Sequence, residues 1–401
     1  MKTIRFFIIA ITAALIFSLS GCPFDIETDN DNDNDIIADS AIEFAAKMKI
    51  GWNLGNALDA HNNLTPNETA WGNARTTQAL INAVAAQGFG AVRIPVTWGT
   101  KIGPAPQYKI DEAWLGRVAE VVEYVRSAGM IAIINIHHDG ADSHYWLSVK
   151  DSDLSGTSKT NIDNKFKAVW KQIAEYFKYN GNGLVFEGFN ELHDGSWGNG
   201  SIAQRNRVNE LNQIFVDTVR SVGGRNASRY LVIHGWVTRP SITVSNLVMP
   251  EDTITDRIIV GIHFYDPYDF AGSATQTVWG NKALPGNWAN ENNVLNTFNA
   301  VKTRFIDNGI PVIIGEYGAV RQTSASGKAH RLYYMEYVTK HAIDCGFIPF
   351  YWDNGGANAG REGFGLFNRR NYSLVPDAAD VIRVMMKAVN EDYQLSDITP
   401  P

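Results

Sequence analysis

The sequence predicts one (β/α)8 TIM barrel, because eight short apolar segments alternate with amphipathic helical segments along most of the 401-residue chain. Each apolar segment has the length of one buried strand, and polar or aromatic residues stand where it ends. The predicted strands are 49–56, 91–98, 131–138, 184–191, 230–236, 258–266, 311–318 and 348–355. Active sites of such barrels lie at the carboxyl ends of the strands, so we expect a site there.

The predicted helices lie between these strands, and several of them end on glycine. Helical patterns cover 76–87, 111–128, 165–178, 204–222, 294–308, 328–344 and 378–390. Gly88, Gly129, Gly309 and Gly346 follow four of them, as is common at helix C-termini. The weakest repeat follows the fifth strand, where 238–253 indicates only a short or irregular helix. Since no second linker interrupts the alternation, one catalytic domain is expected over 42–393, with a tail at 394–401.

The N-terminal segment is typical of an export signal. Lys2 and Arg5 precede an apolar run over 6–19 that is too short to span a bilayer comfortably. The tetrapeptide that ends at Cys22 resembles the lipobox of bacterial lipoproteins, which predicts a signal over 1–21 and a lipid anchor on Cys22. The alternative is an ordinary secretory signal with a chance cysteine nearby. Cys345 is the only other cysteine, so no disulfide is expected to support the exported fold.

The segment 22–41 is rich in aspartate and asparagine, with "DIETDNDNDND" at its centre. It has almost nothing to bury, so we expect a disordered tether. A calcium loop is the alternative, but the glycine and glutamate that such a loop needs at its sixth and twelfth positions are missing.

The overall charge limits the partners. Lysine and arginine number 35 and acidic residues 42, for a net charge of −7, so nucleic acid and anionic membrane surfaces are unfavourable partners. A neutral or cationic substrate fits better. Membrane contact is expected only through the N-terminal lipid, and the chain shows no signal for a dimer, which predicts a monomer.

Two glutamates at strand ends indicate acid–base chemistry. Glu191 ends the fourth predicted strand and Glu316 ends the seventh, so their carboxylates face each other across the mouth of the barrel. Glycoside hydrolysis needs such a pair, with one carboxyl protonated and the other ionised. Arg93 points to the barrel axis by strand alternation and needs a carboxylate partner. Glu316 is the preferred partner and Glu187 the rival, and Glu187 is assigned to a buried structural network.

Asn190 and Glu191 are consecutive, which constrains the end of the fourth strand. Side chains alternate between the two faces of a regular strand, so only one of the two would point into the barrel. If both contact one substrate, the strand must twist or bulge at its end.

Nine motifs together resemble family 5 glycoside hydrolases of the cellulase type, with most similarity to subfamily 4. They cover the chain from about residue 42 to 390 and fall at the predicted strand ends in the right order. They are "GWNLGNALDA", "ETAWGN", "GFGAVRIPVTW", "INIHHDG", "FEGFNE", "HFYDPYDF", "IIGEYGA", "YWDNG" and "GFGLFNR".

The resemblance implies a retaining mechanism without a metal or organic cofactor. It implies that Glu191 is the acid/base and Glu316 the nucleophile, with Asn190 on the sugar 2-hydroxyl. The positions it marks as substrate-binding or supporting are Asn53, Arg93, His137, Asn190, His263, Tyr265 and Trp352. His138, as a hydrogen-bonding residue, and Trp236, as an aromatic platform, are further candidates for contact with substrate. Leu192 departs from the proline that many members have after the acid/base residue. The resemblance also implies a cis peptide between Trp352 and Asp353.

Two other features of the sequence bear on the site. The segment 137–144 contains three histidines and two aspartates, which suggests a metal site, but adjacent histidines on a strand point to opposite faces, so substrate hydrogen bonding is preferred. Several tryptophans lie in or near loops, where an aromatic face can stack on a sugar ring. Trp236 and Trp352 are the predicted platforms, with Tyr268 and Trp279 as weaker candidates.

The predicted activity is that of an endo-acting β-1,4-glucanase on cellulose-like β-glucan, mixed-linkage β-glucan or xyloglucan. A β-mannanase or β-xylanase with the same machinery is one alternative. A non-catalytic glycan-binding surface lipoprotein is the other, and the presence of both glutamates disfavours it.

Overall fold

The computed structural model describes residues 39–140 and 145–401, in which eight parallel strands close into a barrel. The predicted (β/α)8 fold is therefore confirmed. The barrel strands are β1 (Gly51–Leu54), β2 (Ala91–Ile94), β3 (Ile131–Asn135), β4 (Leu184–Glu187), β5 (Leu231–His234), β6 (Ile258–Phe264), β7 (Val312–Tyr317) and β8 (Ile348–Asp353). The predicted signal, most of the tether, and Cys22, Asp142 and His144 lie outside the described residues.

Strand register brings the polar strand ends to one level of the barrel. Asn53 on β1 is the register partner of both Arg93 on β2 and Trp352 on β8. His263 on β6 is paired with Glu316 on β7. These residues are therefore neighbours around one ring at the carboxyl end of the sheet.

Helices cover the outside of the barrel, largely where the sequence predicts them. They are α1 (Ala41–Ala46), α2 (Gln78–Ala85), α3 (Glu112–Ser127), α4 (Gly156–Tyr176), α5 (Ile202–Val222), α6 (Pro240–Asn246), α7 (Tyr268–Ala271), α8 (Glu291–Arg304), α9 (Ala325–Asp344) and α10 (Ala378–Asn390). Helix α6, after the fifth strand, is short, as predicted. Helix α4 starts nine residues before the predicted 165, because its polar first turns lack apolar periodicity. No helix in the described ranges is long and apolar enough to cross a membrane.

Strand alternation divides the core into two layers. Val92 and Ile94 belong to the large cluster between strands and helices, whereas Ala91 belongs to a separate cluster inside the barrel. The inner cluster is apolar, and it also contains Ile133, Val185, Val232, Ile259, Ile313 and Phe350. Arg93 is two residues after Ala91 and also fully buried, so the barrel interior changes from apolar to charged toward the mouth.

Helix α1 closes the amino end of the barrel. Ser40 caps it through a capping box with Glu43, and Phe44 stacks on Tyr230 with ring centroids 3.7 Å apart. Ala41 is fully buried and donates its backbone N–H to Asp256. The packed domain thus includes Ser40 and Ala41, just before the predicted residue 42, and α1 lies at the end of the barrel opposite the strand ends described above.

Replacing Phe44 by alanine tests the role of α1. Removing a buried aromatic ring leaves a cavity, so we expect Phe44→Ala to lower the free energy of unfolding by about 3 kcal/mol in denaturant titrations. Val248→Ala, at an exposed loop residue, is the matched control and should change it by less than about 0.5 kcal/mol. A Phe44→Ala protein as stable as the control would show that α1 is not part of the cooperative unit.

Candidate active site

Arg93 is at the centre of the buried polar network. Its Nε and Nη2 donate to the two oxygens of Glu187, both at 2.7 Å. Nη2 also donates to Asn190 Oδ1 at 2.7 Å. Nη1 donates to Glu316 Oε1 at 2.7 Å and to Asn53 Oδ1 at 3.0 Å. A guanidinium has five N–H groups, and each of them here has one oxygen acceptor.

Glu187 is the second member of this network. It is fully buried, and its Oε1 also accepts from Asn135 Nδ2 at 2.9 Å and lies 3.1 Å from His234 Nε2. Burial alone would raise the pKa of Glu187, but Arg93 and His234 outweigh burial and hold it well below the ordinary value. Both carboxylates suggested as partners of Arg93 are therefore in contact with it.

The chain leaves the sheet before it reaches Asn190. Strand β4 ends at Glu187, and the backbone N–H of Asn190 donates to Ile136 O at 2.8 Å outside the regular ladder. This irregular end lets Asn190 contact Arg93 while the next side chain, Glu191, contacts His263. The predicted departure from regular alternation is confirmed.

Glu191 and Glu316 converge on His263. Nδ1 of His263 lies 2.7 Å from Glu191 Oε1 and 3.7 Å from Glu316 Oε2. One oxygen of each carboxylate lies within 4.8 Å of the other. Thr238 Oγ1 donates to Glu191 at 3.4 Å, and the hydroxyl of Tyr265 donates to Glu316 Oε2 at 3.2 Å. The predicted pair thus meets in one place.

The surroundings distinguish the two carboxyls. Burial raises the pKa of Glu191, and the charge of Arg93 offsets this only in part. Burial also raises the pKa of Glu316, and the charge of Arg93 again offsets this only in part. Two such close carboxylates repel each other and share one proton. Because Arg93 bonds directly to Glu316, the negative charge belongs on Glu316 and the proton on Glu191.

His263 itself is neutral at physiological pH. Burial is the main reason that its pKa falls, to about 3. A neutral imidazole between the carboxyls adds no positive charge that would draw the proton away from Glu191. The site can therefore present a proton donor and an ionised carboxylate to one reacting bond.

His137 and His138 lie on the same side of the barrel mouth. Their ring centroids are 4.5 Å apart, with His137 Nε2 3.9 Å from Glu316 and His138 Nε2 3.5 Å from Asp59. The expectation that they point to opposite faces is wrong, because β3 ends at Asn135 and alternation stops before them.

Two groups in the described part of the chain have ligand atoms close enough to surround a metal ion. They are Asp59 with His137 and His138, and Glu191 with His263 and Glu316. The Asp59 carboxylate already accepts the backbone N–H groups of Asn56 and Ala57. In the second group, Glu316 is bonded to Arg93. Hydrogen bonding thus already engages a carboxylate in each group.

Trp352 lines the site, but Trp236 does not offer a face. The Trp352 ring is parallel to that of His137, with centroids 5.9 Å apart. Trp236 is only 1% exposed, because its Nε1 donates to Gly198 O and Gly200 packs on its ring. A Cβ at Gly200 would lie 2.5 Å from that ring, so the covering segment depends on glycine. The prediction of Trp236 as a platform is wrong, and it supports this loop instead.

The other aromatic residues near the site differ in how far their rings are exposed. Trp279 is buried like Trp236, so its candidacy as a platform is wrong as well, whereas Tyr268 is exposed. Trp71 is 41% exposed with its ring 5.4 Å from that of His138, and Trp197 is 60% exposed and 4.5 Å from His193. In the sequence both stand beside glycine in polar segments, a signal that could have separated them from core tryptophans.

Asp353 fixes the end of β8 after Trp352. Its Oδ2 accepts from Trp52 Nε1 at 3.0 Å and from the backbone of Leu366 at 2.9 Å, and Arg369 binds its Oδ1 at 3.0 Å. The peptide between Trp352 and Asp353 is not cis, contrary to the expectation, since the cis bonds in the described ranges precede Pro106 and Pro267. Hydrogen bonds from the following loop therefore hold this strand end.

Comparison with known proteins agrees with this arrangement. A family model described as Cellulase (glycosyl hydrolase family 5) matches residues 54–358. Endoglucanase A of Paenibacillus barcinonensis is 38% identical over 370 residues, covering 87% of this chain and 90% of that protein.

Solved structures show the same similarity. A GH5-4 broad specificity endoglucanase from Bacteroides salanitronis is 48% identical with a TM-score of 0.85, over 88% of this chain and 96% of that one. A family 5 xyloglucanase from Paenibacillus pabuli is 40% identical with a TM-score of 0.80, over 86% of this chain and 99% of that one.

Proposed function

Because the chain belongs to glycosyl hydrolase family 5, we propose that Glu191 and Glu316 are the catalytic pair of a retaining hydrolase. The chain is a glycoside hydrolase with endo-β-1,4-glucanase activity, and its substrate is a glucan polysaccharide. The proposed substrates within that class are cellulose-like β-glucan, mixed-linkage β-glucan and xyloglucan.

The first step forms a covalent intermediate. Glu191 donates its proton to the glycosidic oxygen while the carboxylate of Glu316 attacks the anomeric carbon. The bond from that carbon to the leaving oxygen breaks, and a bond to a Glu316 oxygen forms. In the second step the ionised Glu191 takes a proton from water, and the water oxygen displaces Glu316 from the sugar.

The observation that carries this proposal is the asymmetric pair. The two carboxylates are close enough for retention, which needs a separation of about 5 to 5.5 Å, and too close to hold a water as inverting enzymes do. Arg93 bonds to Glu316 but not to Glu191, which favours an ionised nucleophile beside a protonated acid. The Tyr265 hydroxyl also orients Glu316.

Asn190 is suited to bind the sugar beside the nucleophile. Its Oδ1 accepts from Arg93, which turns the Nδ2 donors the other way and makes them available to a 2-hydroxyl. His137 and His138 add ring nitrogens near the same place, and the largely buried Trp352 ring packs beside His137. Asn53 reaches no substrate, because its amide is buried against Arg93 and the backbone of β7 and β8.

The preferred glucan is tested with purified protein on carboxymethylcellulose, lichenan, xyloglucan, mannan and xylan. We expect release of new reducing ends from the three glucans and much less from mannan and xylan. Cleavage of mannan or xylan in preference to the glucans would assign the same machinery to the alternative backbones. Binding to glucans without cleavage would support the non-catalytic alternative.

Substituting the nucleophile tests its role. Glu316→Gln keeps the shape but removes the attacking charge, so we expect kcat to fall about 10³-fold or more while bound substrate is retained. Glu112→Gln, at an exposed glutamate on α3, is the matched control and should keep full turnover. Turnover near the control value would remove Glu316 from the nucleophile role.

The exposed face of Trp197 is proposed as a platform for the leaving-group side of the chain, since its loop follows the proton donor. We expect Trp197→Ala to raise KM on a polymeric glucan roughly 5- to 10-fold, the loss of about 1 kcal/mol of stacking. Tyr179→Ala, equally exposed at the amino end of β4, should leave KM unchanged. Equal effects in both variants would exclude a specific platform.

Export with a lipid on Cys22 is proposed from the lipobox resemblance, and it fits an enzyme whose substrate is an extracellular polymer. The first residue of the mature protein would then carry the acyl chains, and the acidic segment would separate them from the domain. We expect Cys22→Ala, expressed in a bacterium, to leave the membrane fraction, as measured by fractionation and mass spectrometry. Unchanged membrane association would refute the anchor.

A further inference from the structure

His234 lies beneath the catalytic pair at the end of β5, with no exposed surface. Its Nδ1 is 3.0 Å from the carbonyl oxygen of Gly261. A carbonyl oxygen only accepts, so the proton of a hydrogen bond here must be on Nδ1. The opposite nitrogen, Nε2, is 3.1 Å from Glu187 Oε1.

A ring with one proton does not suit these two neighbours. With the proton on Nδ1, the lone pair of Nε2 would face a carboxylate oxygen in a buried, weakly screened place. Arg93 and Asn135 bond to the same carboxylate, which shows that Glu187 is an acceptor and not a protonated acid. Nε2 is close to this carboxylate, but the contact lacks the alignment of a linear hydrogen bond.

We propose that His234 carries both ring protons and acts as a positioning residue, supplying the second positive charge that the buried site needs for the reaction. The inference rests on the proposed roles of Glu191 and Glu316. It assigns His234 no contact with substrate, because Glu187 and Arg93 lie between it and Glu316.

Charge balance supports the proposal independently. Without His234, the single charge of Arg93 faces two buried carboxylates, Glu187 and Glu316, which leaves one uncompensated negative charge. An imidazolium at His234 makes the free site neutral. In the covalent intermediate Glu316 becomes a neutral ester and Glu191 becomes ionised, so the site stays neutral.

The groups that face His234 are compatible with a cation there. Glu187 faces it from β4, and the His263 ring faces it from β6 at 5.9 Å between centroids. His263 is uncharged, because burial lowers its pKa to about 3. The positive charges of Arg93 and His234 also oppose its protonation. From β4 and α5 the remaining neighbours are Phe189 and Asn212, neither of which titrates.

The fold makes room for this ring at one position. Gly261, opposite His234 in the strand register, supplies the carbonyl. A Cβ at residue 261 would lie only 2.1 Å from Cε1 of His234. The His234 ring therefore packs directly against the β6 backbone, and this contact fixes the positions of both ring nitrogens.

Neutron diffraction of the wild-type protein at pH 7 reads the two protons directly. We expect nuclear density for hydrogen or deuterium on both Nδ1 and Nε2 of His234. Density on one nitrogen alone would overturn the proposal. This readout does not depend on turnover, so a protein inactive on every glucan would refute the proposed function while the state of His234 is still decided.

His234→Gln tests the effect on catalysis. Loss of a nearby positive charge makes both carboxyls harder to ionise, so both limbs of the bell-shaped pH profile of kcat should move up by about half a pH unit or more. On the acidic limb a shift of half a pH unit lowers kcat at a fixed pH by about 3-fold, with KM little changed, because the nucleophile is then less ionised.

His330→Gln is the matched control for this variant. His330 is also buried and also hydrogen-bonds a carbonyl, that of Trp279, but it lies on α9 away from the charged network. Its replacement should lower stability without moving either limb. If kcat falls for His234→Gln while both limbs of the pH profile stay in place, His234 has only a packing role. If that variant does not fold, neutron diffraction of the wild-type protein decides whether His234 carries both protons.

Discussion

The buried guanidinium of Arg93 is the interaction on which the rest of the site depends. Its five acceptors belong to Asn53, Glu187, Asn190 and Glu316. These come from three strands or strand ends besides its own, so all donors are satisfied only when the barrel has closed in one register. A buried charge that loses a partner is costly, often several kcal/mol. The charge therefore ties the register of the sheet to the position of the candidate nucleophile.

The contact of Arg93 with Glu316 gives two chemically identical side chains, Glu191 and Glu316, different roles. Glu316 shares the guanidinium with Glu187, whereas Glu191 sits one residue beyond Asn190 on an irregular chain segment and meets a neutral imidazole. Their acidities are thus separated by position along the backbone and not by residue type. The deeper layer, with Glu187 and His234, takes no proton from substrate in this scheme but sets the charge above it.

The barrel fold and the buried position of Arg93 could be predicted from the sequence, because both follow from the length, apolar character and side-chain alternation of the strands. Apolar segments of strand length indicated all eight strands, and alternation placed Arg93 inside with a carboxylate partner. The conformations of the loops could not be predicted in this way. Whether Trp236 or Trp197 exposes its ring depends on how residues 198–200 fold over one of them, which no local pattern encodes. His137 and His138 were misplaced for a related reason, since alternation was extended past the point where β3 ends.

The stereochemistry of cleavage tests the close carboxylate pair most directly. Proton NMR during hydrolysis of a short β-1,4-gluco-oligosaccharide shows which anomer of the new reducing end forms first, before mutarotation. With the carboxyl oxygens of Glu191 and Glu316 within 4.8 Å of each other, direct attack by a carboxylate predicts the β-anomer. Initial appearance of the α-anomer would mean that water attacks directly, which would contradict a covalent intermediate on Glu316.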